Sequence, residues 1–275
     1  MPCYRACGYI SRMLDRSALT TGALVRAACR QGRWTGPTAG LAAGYVQANL
    51  VALPTRWADE FREFCRENPR SCPLLEATEP GNPAPVRLAA EADLRTDLPR
   101  YRIWRNGELA EEAGDVRSVW RDDLVSFLIG CSFTFEAALL RGGVPIRHIE
   151  LDVNVPMYRT RQPCRPAGVF HGPLVVSMRP IKRTDVARAI EITSRYPGSH
   201  GAPVHAGDPG DLGIDDLSRP DYGQPVPIGD DEVPVFWACG VTPQAALEQA
   251  RLPLAITHSP GCMFVTDLRD GEAGK

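Results

Sequence analysis

The run Asn154–Pro180, NVPMYRTRQPCRPAGVFHGPLVVSMRP, constrains the rest of the chain most. Asn, Arg, Thr, Cys and His crowd a stretch of loop character. After Gly172-Pro173 it passes directly into apolar Leu174, Val175, Val176, Ser177 and Met178. Polar groups on a loop anchored by a rigid strand are how sites are usually built. A later run, HGAPVHAGDPGDLGI at 200–214, has the same character. The two are expected to face each other across one pocket.

Hydrophobic periodicity places the elements around them. Gly22–Gln31 spaces Leu24, Val25, Ala28 and Cys29 as a helix face. Thr35–Gly44 is a Gly-rich turn segment without a phosphate-loop spacing. An amphipathic helix follows Pro54-Thr55, with Trp57, Phe61 and Phe64 on one face, and ends at Pro69. Cys72–Thr78 and Tyr101–Gly107 read as strands, the second before an Asn-Gly turn. DDLVSFLIG (122–130) reads as a helix, FTFEAALLRGG as a second helix capped by Ser132, and Ile146–Leu151 as a strand. Thr184 caps a further helix with Val186, Ile190 and Thr193 inward. Residues 199–231 are mostly loop. Val233–Cys239 is a buried strand, Thr242-Pro243 starts a helix, and LAITH-SPG-CMFVTDL reads strand, turn, strand. No internal repeat is evident. The expected class is α/β or α+β: a mixed β-sheet with short helices packed around it and room for two subdomains. Residues 1–21 read as an N-terminal extension, 22–270 as a single domain and 271–275 as a tail.

Composition excludes several functions. The chain has 275 residues and a net charge of −2, so no dense basic face implies nucleic acid. Nine cysteines, an odd number without a CxxC, fit reduced thiols rather than a disulfide framework. No apolar run is long enough to span a bilayer, and the N-terminus lacks a secretory h-region. A cytoplasmic location without membrane partners follows as the expectation. A homodimer is compatible with it. Lys182 and Lys275 are the only lysines, which leaves anion recognition to arginine forks.

Read in order, WTGPTAGLAAGYVQANLVALP (34–54), FCRENPRSCPLLEATEPG (64–81), DDLVSFLIGCSFTFE (122–136), HIELDVNVPMYRT (148–160), GPLVVSMRP (172–180), HGAPVHAGDP (200–209) and VPVFWACGVTPQ (233–244) resemble a bacterial family of hydro-lyases grouped with D-glutamate cyclase. The likeness runs from about Gly22 onward, which raises Met13 as an alternative start. It implies a carbon–oxygen lyase for a small carboxylate or amino acid, with D-glutamate to 5-oxo-D-proline plus water as the reference reaction. It carries no catalytic residues onto this chain.

Such a reaction needs a cation for the carboxylate, a base for the ammonium and an acid for the departing oxygen. Arg159 and Arg179 are the candidate clamps, supported by Asn154, Thr160 and Ser132 as substrate-binding groups. His200, His205, Asp208 and Glu136 are the candidate acid/base groups. Cys131, just before a helix start, is a candidate nucleophile. Plainer roles stand beside these: loop-bracing for the histidines and arginines, an Asx turn for Asp208, a favourable helix-dipole position for Glu136, core packing for Cys131. No cofactor is expected. His200, His205 and Asp208 are of the right kind for a divalent metal, but their spacing matches no standard zinc motif. The alternative to an enzyme is a non-catalytic small-acid-binding or accessory protein of 5-oxoproline metabolism.

Overall fold

The computed structural model describes residues 15–271. Most of the expected extension, Met13 included, and all but the first residue of the tail lie outside them. Helix α1 (Gly22–Arg30) starts where the Thr21 hydroxyl accepts from the Leu24 N–H at 3.3 Å. Strand β1 (Tyr45–Pro54) follows the Gly-rich segment and is buried at nearly every position. One turn of 3₁₀ helix leads into α2 (Ala58–Glu67), which buries Phe61 and Phe64. Then come β2 (Leu74–Ala77), α3 (Val86–Ala89), and the hairpin of β3 (Tyr101–Arg105) and β4 (Glu108–Ala113). Its Asn106-Gly107 turn has φ of 52° and 83°, the paired positive values that this dipeptide tolerates.

The segment expected as a helix at 122–130 is strand β5 (Leu124–Gly130), buried throughout. It pairs with β1 on one edge and β2 on the other, and both its faces are buried, Val125, Phe127 and Ile129 in one core and Leu124 and Leu128 in the other. A strand covered on both faces has no polar alternation to distinguish it from a buried helix. Helix α4 (Phe133–Arg141) begins after Ser132 as expected. Ile146–Leu151, expected as a strand, is the single turn α5 (Arg147–Glu150). Over so few residues one helical turn produces the same alternating burial.

The chain continues through β6 (Met157–Pro163), β7 (Pro173–Lys182) and α6 (Val186–Ser194). Helix α6 buries Ala189 and Thr193, while Ile190, expected inward, is exposed. The last elements are β8 (His205–Ala206), β9 (Glu232–Ala238), α7 (Thr242–Ala250), β10 (Ala255–His258) and β11 (Phe264–Arg269). Strands β10 and β11 do not pair with each other. Both lie along the same edge of β1, separated by the Ser-Pro-Gly excursion.

The class is α+β, with two antiparallel sheets. One has the order β2-β5-β1-β10-β3-β4, with β11 also on β1; the other is β6-β7-β9-β8. Phe61, Phe64, Phe127 and Phe170 form a core on one face of the larger sheet, and Leu50, Leu128, Ile256 and Phe264 one on the other.

The two sheets are copies of one unit, contrary to the absence of a repeat expected from the sequence. Strand, 3₁₀ turn and helix recur as β1–α2 and β7–α6, and strand then helix as β5–α4 and β9–α7. The registers coincide. Ala48 faces Gly130 as Val176 faces Ala238, and Pro54 faces Leu124 as Lys182 faces Glu232. At the turns, the N–H of Cys131 donates to the Gln47 carbonyl as that of Cys239 donates to Val175. The Thr134 and Thr242 hydroxyls accept the matching N–H groups of Gln47 and Val175. Even the faint sequence echoes fall into place: CSFTFEAAL against CGVTPQAAL, and EATEPG against HAGDPG. Each unit gives its last strand to the other: β6, after α4, pairs with β7, and β11, after α7, pairs with β1.

Gly130 marks where the units meet. A Cβ there would lie 1.7 Å from the Gly198 carbonyl oxygen, a backbone atom. Gly130→Ala is therefore expected to lower stability by about 2–4 kcal/mol. Denaturant unfolding checks this; an unchanged midpoint would mean the 197–200 turn retreats freely.

Candidate active site

Where β5 turns into α4, the chain places a carboxylate in the core. Glu136 is 1% exposed and Arg179, on β7, 0%. The Arg179 Nε and Nη2 donate to Glu136 Oε1 at 3.0 and 2.5 Å. Nη2 also donates to the Ser132 hydroxyl at 2.9 Å, and Nη1 to that of Ser177 at 3.1 Å. The guanidinium lies between the Phe135 and Trp237 rings, 5.4 and 5.3 Å from their centres. Ser132 thus sits at the helix start but spends its hydroxyl on Arg179 rather than on a cap.

His148, carried by α5, brings Nε2 to 3.0 Å from the same Oε1, and its ring stacks on Phe133. The second carboxylate oxygen, Oε2, accepts no hydrogen bond from the described residues. Burial alone would raise the pKa of Glu136, but the charges of His148 and Arg179 outweigh it and the net shift is downward. The carboxylate is thus anionic near neutral pH.

Glu136 also lines a cavity of about 340 Å³ whose wall is the Gly-rich loop 40–44. Gly40, Ala42 and Gly44 there have φ of 75°, 43° and 83°. A left-handed alanine costs on the order of 1 kcal/mol, a strain that clusters at functional sites. Gln47 holds the loop: its Nε2 donates to the carbonyls of Thr38 and Leu41, at 3.1 and 3.3 Å. Arg141 stands in the cavity wall, with Asp270 3.2 Å away.

The structure brings Glu136, Ser132 and Arg179 into direct contact. Cys131 adjoins them, its thiol hydrogen-bonded by the Phe133 N–H at 3.5 Å and raised in pKa, first by burial. His200, with φ of 78°, is buried within reach of the Arg179 charge. Its Nδ1 lies 2.7 Å from the Arg70 carbonyl. The other sequence candidates lie elsewhere. The His205 ring packs on Phe236, with Nε2 2.8 Å from the Asp208 carbonyl. Asp208 Oδ1 accepts from the Gly210 N–H. Arg159 makes a bidentate pair with Glu248 at 2.8 and 2.6 Å. Thr160 donates to the Leu174 carbonyl, and Asn154 to that of Pro260. Among the described residues no group of three or more His, Cys, Asp or Glu is placed to hold a metal. Sequence reasoning missed His148, Ser177 and the wall formed by loop 40–44. With five histidines in the chain, each merited scrutiny, but assigning 146–151 to a strand hid His148.

The D-glutamate cyclase family model matches residues 125–267, from β5 into β11. A protein of Saccharopolyspora erythraea named "Putative hydro-lyase" is 62% identical over 250 residues, covering 91% of this chain and 97% of its own. Equally named proteins of Rhodopseudomonas palustris and Stutzerimonas stutzeri are each 59% identical, covering 89% and 92% of this chain and 90% and 95% of theirs. The chain belongs to the D-glutamate cyclase family. The stretch matching the family model contains Ser132, Glu136, His148, Ser177 and Arg179, whereas loop 40–44 precedes it. A nitrogen repressor-like protein of Methanococcus jannaschii superposes with a TM-score of 0.38 and 11% identity over 84% of this chain and 90% of its own, too distant to inform on the family member's fold.

Two buried histidines of this family member set its acid limit. Burial first, then the charge of Arg179, holds His200 near a pKa of about 4; the bond to the Arg70 carbonyl opposes them. Burial first also brings His258 to about 4. Unfolded, each titrates near 6.5. As pH falls from about 6.5 to 4 the unfolded chain takes up protons that the folded chain refuses, so stability drops. The loss is about 3 kcal/mol per histidine once pH reaches 4, at 1.36 kcal/mol per unit. Denaturant unfolding at pH 7 and pH 4.5 measures it, and equal stabilities would contradict it.

Proposed function

We propose that the chain is a carbon–oxygen lyase for a small carboxylic or amino acid, with Glu136 as its base. D-glutamate to 5-oxo-D-proline plus water is the first reaction to test. One observation carries this reading. The strand–helix turn occurs twice, and one copy alone buries an ion pair; at the other, a part-exposed Arg102 donates to the Gln244 side chain at 3.4 Å. Where the first has Ser132 and Glu136 facing Arg179, the second has Gly240 and Gln244, and Val51 stands at the position of Arg179. The second turn closes without an ion pair, so the fold does not require one at the first. Buried ion pairs rarely improve on apolar packing, which leaves chemistry as the reason to keep this one.

Ring closure joins the amine nitrogen to the γ-carboxyl carbon and breaks one carbon–oxygen bond. Two protons leave the ammonium nitrogen, and both end on the departing oxygen as water. An anionic Glu136 suits the first proton transfer and can return the proton to the leaving oxygen. Arg179, which spends four of its five N–H donors on Glu136, Ser132 and Ser177, and His148 position that carboxylate. Arg141, in the cavity wall and paired through Nη2 with Asp270, is the guanidinium we assign to a substrate carboxylate. A cavity of about 340 Å³ suits a molecule of this size. The same base would serve dehydration of a hydroxy acid by proton abstraction.

Purified protein incubated with D-glutamate or 5-oxo-D-proline, with and without divalent metals, and followed by chromatography tests the reading. Absence of interconversion in every condition would count against that substrate. The near-complete burial of Glu136, Arg179 and His148 favours a second reading, small-acid binding without turnover. Thermal stabilisation by an acid that is not consumed would select it.

A further inference from the structure

We propose that the cavity between the end of α2 and the β6–β7 connection is a second binding site, for a small dianion such as a dicarboxylate. It holds about 700 Å³, twice the volume beside Glu136, and shares no lining residue with that cavity. Gln162, Cys164, Arg165 and Leu174 of the first polar stretch and Val204 of the second border it, joined by the 66–71 turn. The proposal stands independently of the Glu136 reading.

Charge points to the ligand class. Arg66, Arg70 and Arg165 line the cavity against a single carboxylate, Glu67. Arg66 is tied to Glu63 and Glu67, and Arg165 lies 3.5 Å from Glu67. Among the described residues Arg70 has no carboxylate partner. Its Nη2 donates to the carbonyls of Ala202 and Pro203 at 2.7 and 3.1 Å, which orients the guanidinium without neutralising it. A fork held in this way binds a carboxylate or phosphate with little further ordering. Ser71, 3% exposed, adds a hydroxyl to the wall.

The repeat shows that the opening is not a by-product of the fold. Arg70 occupies the place of Gly198, and Ala238 that of Gly130. In one unit the Gly198 carbonyl closes onto Gly130. In the other, Arg70 and Ala238 both border open space. Behind Arg70, buried His200 braces the turn, with Nδ1 2.7 Å from the Arg70 carbonyl.

Isothermal titration of the full chain at low salt, with succinate and inorganic phosphate in separate arms, tests this. The expected result is saturable binding of at least one anion, weakened at least tenfold by Arg70→Ala and by Arg165→Ala, and unchanged in Glu136→Gln/Arg179→Met. The two arms tell a dicarboxylate from free phosphate as the dianion's source. Arg165 is 78% exposed, so its variant keeps the test alive should Arg70→Ala misfold. No saturable binding in either arm, or binding indifferent to both arginine variants, overturns the proposal. Loss confined to the Glu136 variant would place the ligand in the other cavity and overturn it too. Failure of the Glu136 reading itself would appear separately, as turnover that survives that variant.

Discussion

Glu136→Gln combined with Arg179→Met will leave the protein folded and lower its turnover by about 10²- to 10⁴-fold, the range for loss of a positioned base. The double variant imitates the chain's own second unit, where buried Gln244 has no buried charge partner: it accepts from the part-exposed Arg102 Nη1 at 3.4 Å and donates to the His258 carbonyl at 2.9 Å. Methionine keeps roughly the volume of the arginine between Phe135 and Trp237. Folding is read by circular dichroism and denaturant unfolding, turnover by chromatography of whichever acid the native protein consumes. Undiminished turnover in the folded double variant would remove Glu136 from the chemistry.

Each single substitution should behave very differently. Arg179→Met leaves an anionic Glu136 buried beside His148, and Glu136→Gln leaves the Arg179 guanidinium with only Ser132 and Ser177 as hydrogen-bond partners of full strength. Removing one partner of a buried pair costs about 3–5 kcal/mol. For a chain of this size that is a fall in Tm of roughly 10 °C. Because the double variant removes both charges, its loss should be no larger than that of either single, so the cycle should show a coupling of at least about 3 kcal/mol. Additive losses would mean that the two groups do not depend on each other.

Much of the chain was legible before any coordinates. Phe61 and Phe64 at helical spacing made α2 readable, Asn106-Gly107 fixed a hairpin, and Thr242-Pro243 marked the start of α7. Leu124–Gly130 was not legible as a strand, since a run covered on both faces carries no period. The duplication escaped because it survives at a few positions, such as Cys131 with Cys239 and Thr134 with Thr242. The turns need those residues; the surrounding core needs only apolar volume.

For the site, residue types and position marked Glu136 as an acid/base group, Arg179 as a carboxylate clamp, and Cys131 with Ser132 as groups at a helix start. They could not say that Arg179 would be spent on Glu136. That depended on β7 crossing to the second sheet, which places Arg179 against a helix from the other unit. Arg159 looked like an equal candidate in the sequence, yet its neighbour across the fold is Glu248. The opening run Asn154–Pro180 shows the same division. Its composition pointed to a polar loop anchored by an apolar strand; the apolar strand is β7, but Met157–Pro163 of the expected loop is strand β6. Tertiary structure alone decided that its arginine at 179 is buried with a carboxylate while its residues 162–165 border an open cavity. Local sequence sets which groups a segment offers; what those groups meet is set by the packing of the two units, which brings Arg179 to Glu136 across 43 residues and Arg159 to Glu248 across 89.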